Sequence, residues 1–186
     1  MRPLALCLAL LAGSASAREV AGVEVAESMP LGGTELSLNG AGLRRTTIFN
    51  VKVYVGALYL AVSARDPEAI VGSDEPKGVR MRFVRDVSKG KIMDAFREGF
   101  EKNVGTAAAA LGPGLDRVAA AIPAEMKRGM ELTVTYVPGK GTTVAGPAGE
   151  VTVAGKPFAD AMFRCWLGEH PADEDLKRAM LMATGR

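Results

Sequence analysis

Cysteine and histidine are scarce. The 186 residues include 2 cysteines, Cys7 and Cys165, and a single histidine, His170. No Cys–His pair lies close in sequence, and His170 stands beside Pro171 in a turn-like stretch. Charge of one sign is not in excess: 23 Lys and Arg against 21 Asp and Glu give a formal net charge of +2, and nothing argues for nucleic acid. Internal repeats are absent, the only biased stretch is the short Ala107–Ala110 tract, and no linker splits the chain in two. Long apolar runs are missing beyond the first residues, so no transmembrane segment is expected in the mature chain.

The first residues form a pattern of their own. Arg2 supplies a positive start, Leu4 to Ala12 an apolar run, and Ala15-Ser16-Ala17 a small-residue cleavage site. This predicts a signal peptide over residues 1–17, with the mature chain starting at Arg18 and residing in the periplasm or outside the cell. Leu6 stands directly before Cys7, where lipoprotein signals carry a small residue, and almost no apolar core precedes it, so a lipoprotein cut is rejected. Removing the leader leaves Cys165 alone, so no intramolecular disulfide can form and stability must come from packing. Cys165 sits in the apolar stretch Met162 to Leu167 and reads as a buried, inert thiol.

What remains has almost half its residues apolar, enough for one domain with a real core. Val20 to Glu27 and Glu35 to Asn39 alternate apolar with polar, as strands do. Phe49 to Leu60 is the strongest strand signal, with Val51, Val53, Val55, Ala57 and Tyr59 on one face and Tyr54, Gly56, Leu58 and Leu60 on the other. Val79, Met81 and Phe83 mark another strand. The period then changes: Ile92, Phe96, Phe100 and Val104 share one face of a helix over 88–104, with Ser88 as its cap. Leu115 to Ile122 gives a second helix, closed by Pro123. Glu131–Val137, Thr142–Ala145 and Val151–Ala154, separated by Gly- and Pro-containing turns, form a meander. Helices follow from Pro157 to Leu167 and from Asp173 to Met182. Strict strand–helix alternation is lacking, which favours an α+β fold with a largely antiparallel sheet.

The segment Asn39-Gly40-Ala41-Gly42-Leu43-Arg44-Arg45 lacks the third glycine of a dinucleotide fingerprint and leads into a strand, so nucleotide binding is dismissed. Together with Val53-Tyr54 and Leu58-Tyr59-Leu60 it resembles the Gly-x-Gly-x-Arg and Val-Tyr-x-x-x-Leu-Tyr-Leu signature of bacterial chalcone-isomerase-like proteins. Val137 to Thr142, Gly155 to Ala159 and Trp166 to Pro171 resemble later parts of that family in the same order. The resemblance covers most of residues 18–186. It implies an open-faced β-sandwich, a large antiparallel sheet with helices packed on one face.

The resemblance also implies a ligand cleft between sheet and helices. There the motif arginine, Arg44 here, meets a carboxylate in plant fatty-acid-binding members, or stabilises an enolate or phenolate in true isomerases. A guanidinium suits either task, since it forms forked, charge-assisted bonds with oxyanions. An apolar tail would lie along Tyr54, Leu58, Phe96 and Phe100, with Arg45 left to solvent. The family's cyclisation further uses a Thr on the next strand and a Tyr and an Asn on the first helix. Here Tyr54 stands at the Thr position, no Tyr occurs between Tyr59 and Tyr136, and no Asn occurs on the helix before Asn103. The expectation is therefore a binding protein for a small amphipathic anion such as a fatty acid, weakly catalytic or not at all, with no cofactor. An enone isomerase (an intramolecular lyase), a haem binder using Tyr54, Tyr59, Cys165 or His170, and an envelope interaction module are the alternatives.

Overall fold

The computed structural model describes residues 17–46 and 49–182. Apart from Ala17, the expected leader lies outside the described residues. The chain opens with a hairpin of β1 (Ala17–Val20) and β2 (Val23–Ala26). Ala21 and Gly22 turn between them with positive φ, which breaks the single strand expected over 20–27. Then come β3 (Ser28–Leu31), β4 (Thr34–Arg45), β5 (Lys52–Leu60), α1 (Pro67–Gly72), β6 (Lys77–Phe83) and the short β7 (Val87–Ser88). Two helices follow, α2 (Lys89–Val104) and α3 (Ala107–Val118), and then β8 (Glu125–Met126). The chain continues with β9 (Glu131–Val137), β10 (Gly141–Gly146), β11 (Gly149–Val153), α4 (Lys156–Leu167) and α5 (Glu174–Leu181).

The main sheet has seven strands in the order β11-β10-β9-β6-β5-β4-β3, and every pairing is antiparallel. Alternation sorts its side chains. Leu58, Val79, Met81, Leu132, Val134 and Val144 face the helices and join the larger core cluster. Val55, Ala57, Tyr59, Leu36 and Leu38 face the other way, under the β1–β2 hairpin. Helices on one face of a broad antiparallel sheet is the α+β, open-faced architecture expected from the sequence.

The central helix α4 is buried nearly all round, including Phe158, Met162, Phe163, Trp166 and Leu167. Such a helix belongs in an interior. Aromatic edges lock it to α2: Phe96 meets Trp166 at 5.9 Å and Phe100 meets Phe158 at 5.6 Å between ring centroids. Lys77, only 2% exposed, points beneath α1 and donates to the carbonyls of Ile70, Val71 and Ser73, which a six-residue helix leaves open at its end.

Helix α5 sits on glycines. Gly40 and Gly42 on β4 and Gly56 on β5 share the helix-facing side, and Gly42 pairs directly with Gly56. A Cβ at Gly42 would stand 2.6 Å from that of Ala179, and one at Gly56 would stand 2.8 Å from Cε of Met180. At Gly40 it would run into the backbone carbonyls of Ala179 and Met180. Asn39, 1% exposed, fastens the far end of α5 by donating to the Met180 carbonyl at 2.8 Å and to that of Ala64 at 2.9 Å. Backbone cannot yield as a flexible side chain can, so Gly40→Ala should lower stability by about 3 kcal/mol. Urea unfolding followed by circular dichroism measures this, and a loss under about 1 kcal/mol would show that α5 is not seated as described.

Candidate functional site

Strand register brings the first two site residues together. Arg44 on β4 pairs with Tyr54 on β5, so both side chains stand on the helix-facing side. The Arg44 guanidinium lies 5.6 Å from the centroid of the Tyr54 ring. The register slips between Arg44 and Arg45. Beyond the slip, the Arg45 backbone amide donates to Oδ2 of Asp173 at 2.7 Å. Oδ1 of the same carboxylate accepts from the amide of Leu176 at 3.0 Å, capping α5. Arg45, expected in solvent, is half-buried, and its Nη1 reaches the Asn50 carbonyl at 3.4 Å.

A cavity of about 670 Å³ opens between this end of the sheet and α2 and α4, within the range of small-molecule sites. Its sheet wall carries Arg44, Val53, Tyr54, Met81 and Phe83. Its helix wall carries Ile92, Ala95 and Phe96 from α2 and Cys165 and Trp166 from α4. Arg85, Asp86, Lys91, Asp94, Glu98 and Glu125 add charge to the lining. The acids are engaged: Asp86 and Glu125 with Lys127, Asp94 with Arg97, and Glu98 with Lys102. Among the described residues, Arg44, Arg85 and Lys91 form no ion pair.

Of the expected site residues, the fold brings Arg44, Tyr54 and Phe96 to one cavity. Leu58 and Phe100 do not reach it. They are 0% and 1% exposed and packed into the core behind the wall, because Leu58 stands two strand residues beyond Gly56, under α5, and Phe100 one helical turn beyond Phe96, against Phe158. Of the four residues named as haem ligands by type, Tyr54 and Cys165 line the cavity. Tyr59 lies on the opposite sheet face with its hydroxyl donating to the Ala26 carbonyl, and His170 is exposed away from the cleft. Trp166, Val53, Ile92 and Phe83 are lining residues that sequence reasoning left unassigned, although Ile92 lies on the same predicted helix face as Phe96.

Two donors on these lining residues have no acceptor among the described residues. Nε of Arg44 is buried and has no hydrogen-bond partner among the described residues. The Tyr54 hydroxyl accepts the indole N–H of Trp166 at 2.9 Å, and among the described residues nothing accepts its own proton. Burial holds the Tyr54 phenol above its ordinary value, against the opposing pull of Arg44 and the Trp166 N–H, so it stays protonated. Burial also pushes the Cys165 thiol up to about 12.

The family model described as chalcone isomerase-like matches residues 17–182, and the chain belongs to that family. Its fold is similar to that of a solved fatty-acid-binding protein of Arabidopsis thaliana, at 16% identity and a TM-score of 0.67, over 87% of this chain and 92% of that one. No curated protein matches in sequence.

The raised thiol gives a direct test of the cavity's dryness. At pH 8 a group titrating near 12 is ionised in only about one molecule in ten thousand, and the thiolate is the reactive form. A chain starting at Arg18 should therefore resist Ellman's reagent when native and release one equivalent once unfolded in guanidinium. Rapid native reaction would show that water reaches Cys165 and the wall beside it.

Proposed function

We propose that this protein is an exported carrier or reservoir for a small amphipathic anion, a fatty acid being the model ligand, with Arg44 and Tyr54 holding the carboxylate. One observation carries the reading: the buried Arg44 Nε–H has no acceptor among the described residues, and Arg44 lines a largely apolar cavity. A carboxylate supplies the missing acceptor and the missing countercharge together. The second donor, Tyr54, stands on the paired residue and adds a second bond to the same head group. The fold-level likeness to a fatty-acid-binding protein supports the same class of ligand, and the leader-like residues 1–17 support export.

Catalysis of a proton transfer asks more of a site than binding does. A general acid or base works best when it titrates near the working pH. In this cavity the Tyr54 phenol and the Cys165 thiol are both held protonated, and the carboxylates of the lining are engaged with surface lysines and arginines. The helical tyrosine used in the family's cyclisation has no counterpart in the sequence. A missing oxyanion donor of that kind costs about 3 kcal/mol of transition-state stabilisation.

The single tryptophan lines the cavity, so ligand entry can be read from its fluorescence. Titrating dodecanoate into the mature chain should give saturable quenching and a one-to-one complex in native mass spectrometry. Arg44→Ala should weaken binding about 10- to 100-fold, as expected for loss of a charge-assisted bond of about 1.5–3 kcal/mol. Absence of binding, or equal binding by Arg44→Ala, would overturn the reading. Chalcone cyclisation should run no faster than in buffer. A rate above buffer that Arg44→Ala abolishes would move the protein to the isomerases.

A further inference from the structure

The geometry points to Trp166 as the residue that sets head-group selectivity, by holding the Tyr54 hydroxyl as a one-way donor into the cavity. The inference rests on the ligand reading above and goes beyond it, because it states which head groups the cleft refuses and why.

An indole N–H only donates, so the 2.9 Å contact fixes the direction of the bond: Nε1–H of Trp166 gives, and the Tyr54 oxygen accepts. A free phenol can donate and accept. With its acceptor side occupied, Tyr54 presents to the cavity a proton only. Neither partner can easily turn away. Tyr54 and Trp166 are 6% and 2% exposed; the indole is wedged by Phe96 and Phe163, and the Tyr54 ring lies between the Arg44 guanidinium and Phe83. Arg44 is likewise a donor without an acceptor function. The two head-group residues therefore offer donors alone.

This makes the cleft selective in a particular sense. A carboxylate has only acceptor sites and satisfies both donors. A primary alcohol of the same chain length carries a proton that would need an acceptor. The Tyr54 oxygen already accepts the Trp166 N–H and Arg44 accepts nothing, so neither head-group residue receives it. A site with buried, one-sided polar groups rejects a ligand that leaves one unpaired more strongly than an apolar pocket rejects a change of size. Were the Trp166 N–H absent, the Tyr54 oxygen could accept the alcohol proton and the discrimination would relax. Trp166 is thus a positioning residue acting through Tyr54.

Because the chain has one tryptophan, expression with 3-benzothienylalanine in place of tryptophan alters this site alone, keeping the ring's shape while replacing N–H by sulfur. Dodecanoate and 1-dodecanol are compared by displacement of a fluorescent fatty acid. The preference for dodecanoate over 1-dodecanol should fall about five-fold in the substituted protein, the size expected for one hydrogen bond. In a Tyr54→Phe background the same replacement should leave the preference unchanged. An unaltered preference in the first comparison, or an equal fall in the second, would overturn the role given to Trp166. Failure of the unsubstituted protein to bind dodecanoate would overturn the ligand reading and this inference with it. Should the substituted chain not fold, the single indole N–H resonance of the natural protein decides. It should sit downfield, stay there when dodecanoate is added, and move upfield in Tyr54→Phe; a resonance indifferent to Tyr54→Phe would show that the hydrogen bond does not govern the site.

Discussion

A charged donor withdrawn from water has to be compensated, and among the described residues Nε of Arg44 and Nε of Arg80 are both buried without a hydrogen-bond partner. Of the two, Arg44 is the one that lines the cavity of about 670 Å³. Leaving such a group unpaired costs about 1–3 kcal/mol, and more for a charge. Stacking on Tyr54 returns part of that. The remainder has to be carried by the packing that keeps Arg44 where it is. Native structures retain unpaired buried groups where a function uses them. The functional reading grows from this deficit, because the cheapest way to remove it is an anion brought from outside.

The elements that hold Arg44 explain the spacing of the motif it belongs to. Side chains two residues apart on a strand share a face, so Gly40, Gly42 and Arg44 point the same way. The two glycines lie beneath α5, where no side chain fits. Arg44 comes next and emerges just past the helix's first turn, into the cleft. The cap of α5, Asp173, grips the Arg45 amide and so fixes the strand immediately after Arg44. The glycines and the arginine thus form one mechanical unit: a seat that admits a helix, and a charged side chain that stands just beyond the helix's N-terminal end. The same logic runs along β5, where Gly56 lies under α5 and Tyr54 beyond it.

Much of this was legible in the sequence, and the failures have physical causes. The strand and helix periods gave most strands of the sheet and α2, α4 and α5 within a few residues, but not β3, and β4 runs on to Arg45, past the expected Asn39. Alternation could not foresee the register slip beside Arg44, and near it Val53 and Tyr54 both line the cleft although neighbours on an ideal strand should oppose each other. Helix α3 begins eight residues before the expected Leu115, running through Gly112-Pro113-Gly114. Gly114 is required there, since a Cβ would stand 2.9 Å from Phe158 and Val153. Helix α1 was overlooked although Asp66-Pro67 is a sound start, with Oδ1 of Asp66 accepting the Glu68 amide at 3.0 Å. The site's polar end was legible because a motif marked it. Its apolar end was not, because distance along a strand or helix does not say where another layer comes down.

That last point changes the path a ligand would take. A tail laid along Tyr54, Leu58 and Phe100 would run down the middle of the sheet. Leu58 and Phe100 are fully buried in the main core, and Phe100 is packed against Phe158, so the route is closed by core side chains. Opening it would mean parting close-packed side chains, each worth about 2–5 kcal/mol of contact and cavity energy. The open space instead lies at the end of the sheet where Met81 and Phe83 face Val87, Ile92 and Phe96. A head group on Arg44 and Tyr54 would therefore send its tail sideways beneath the first turns of α2, towards β7 and β8. Chain length would then be limited by how far α2 stands from the β6 end of the sheet, and hardly at all by the residues of the central core.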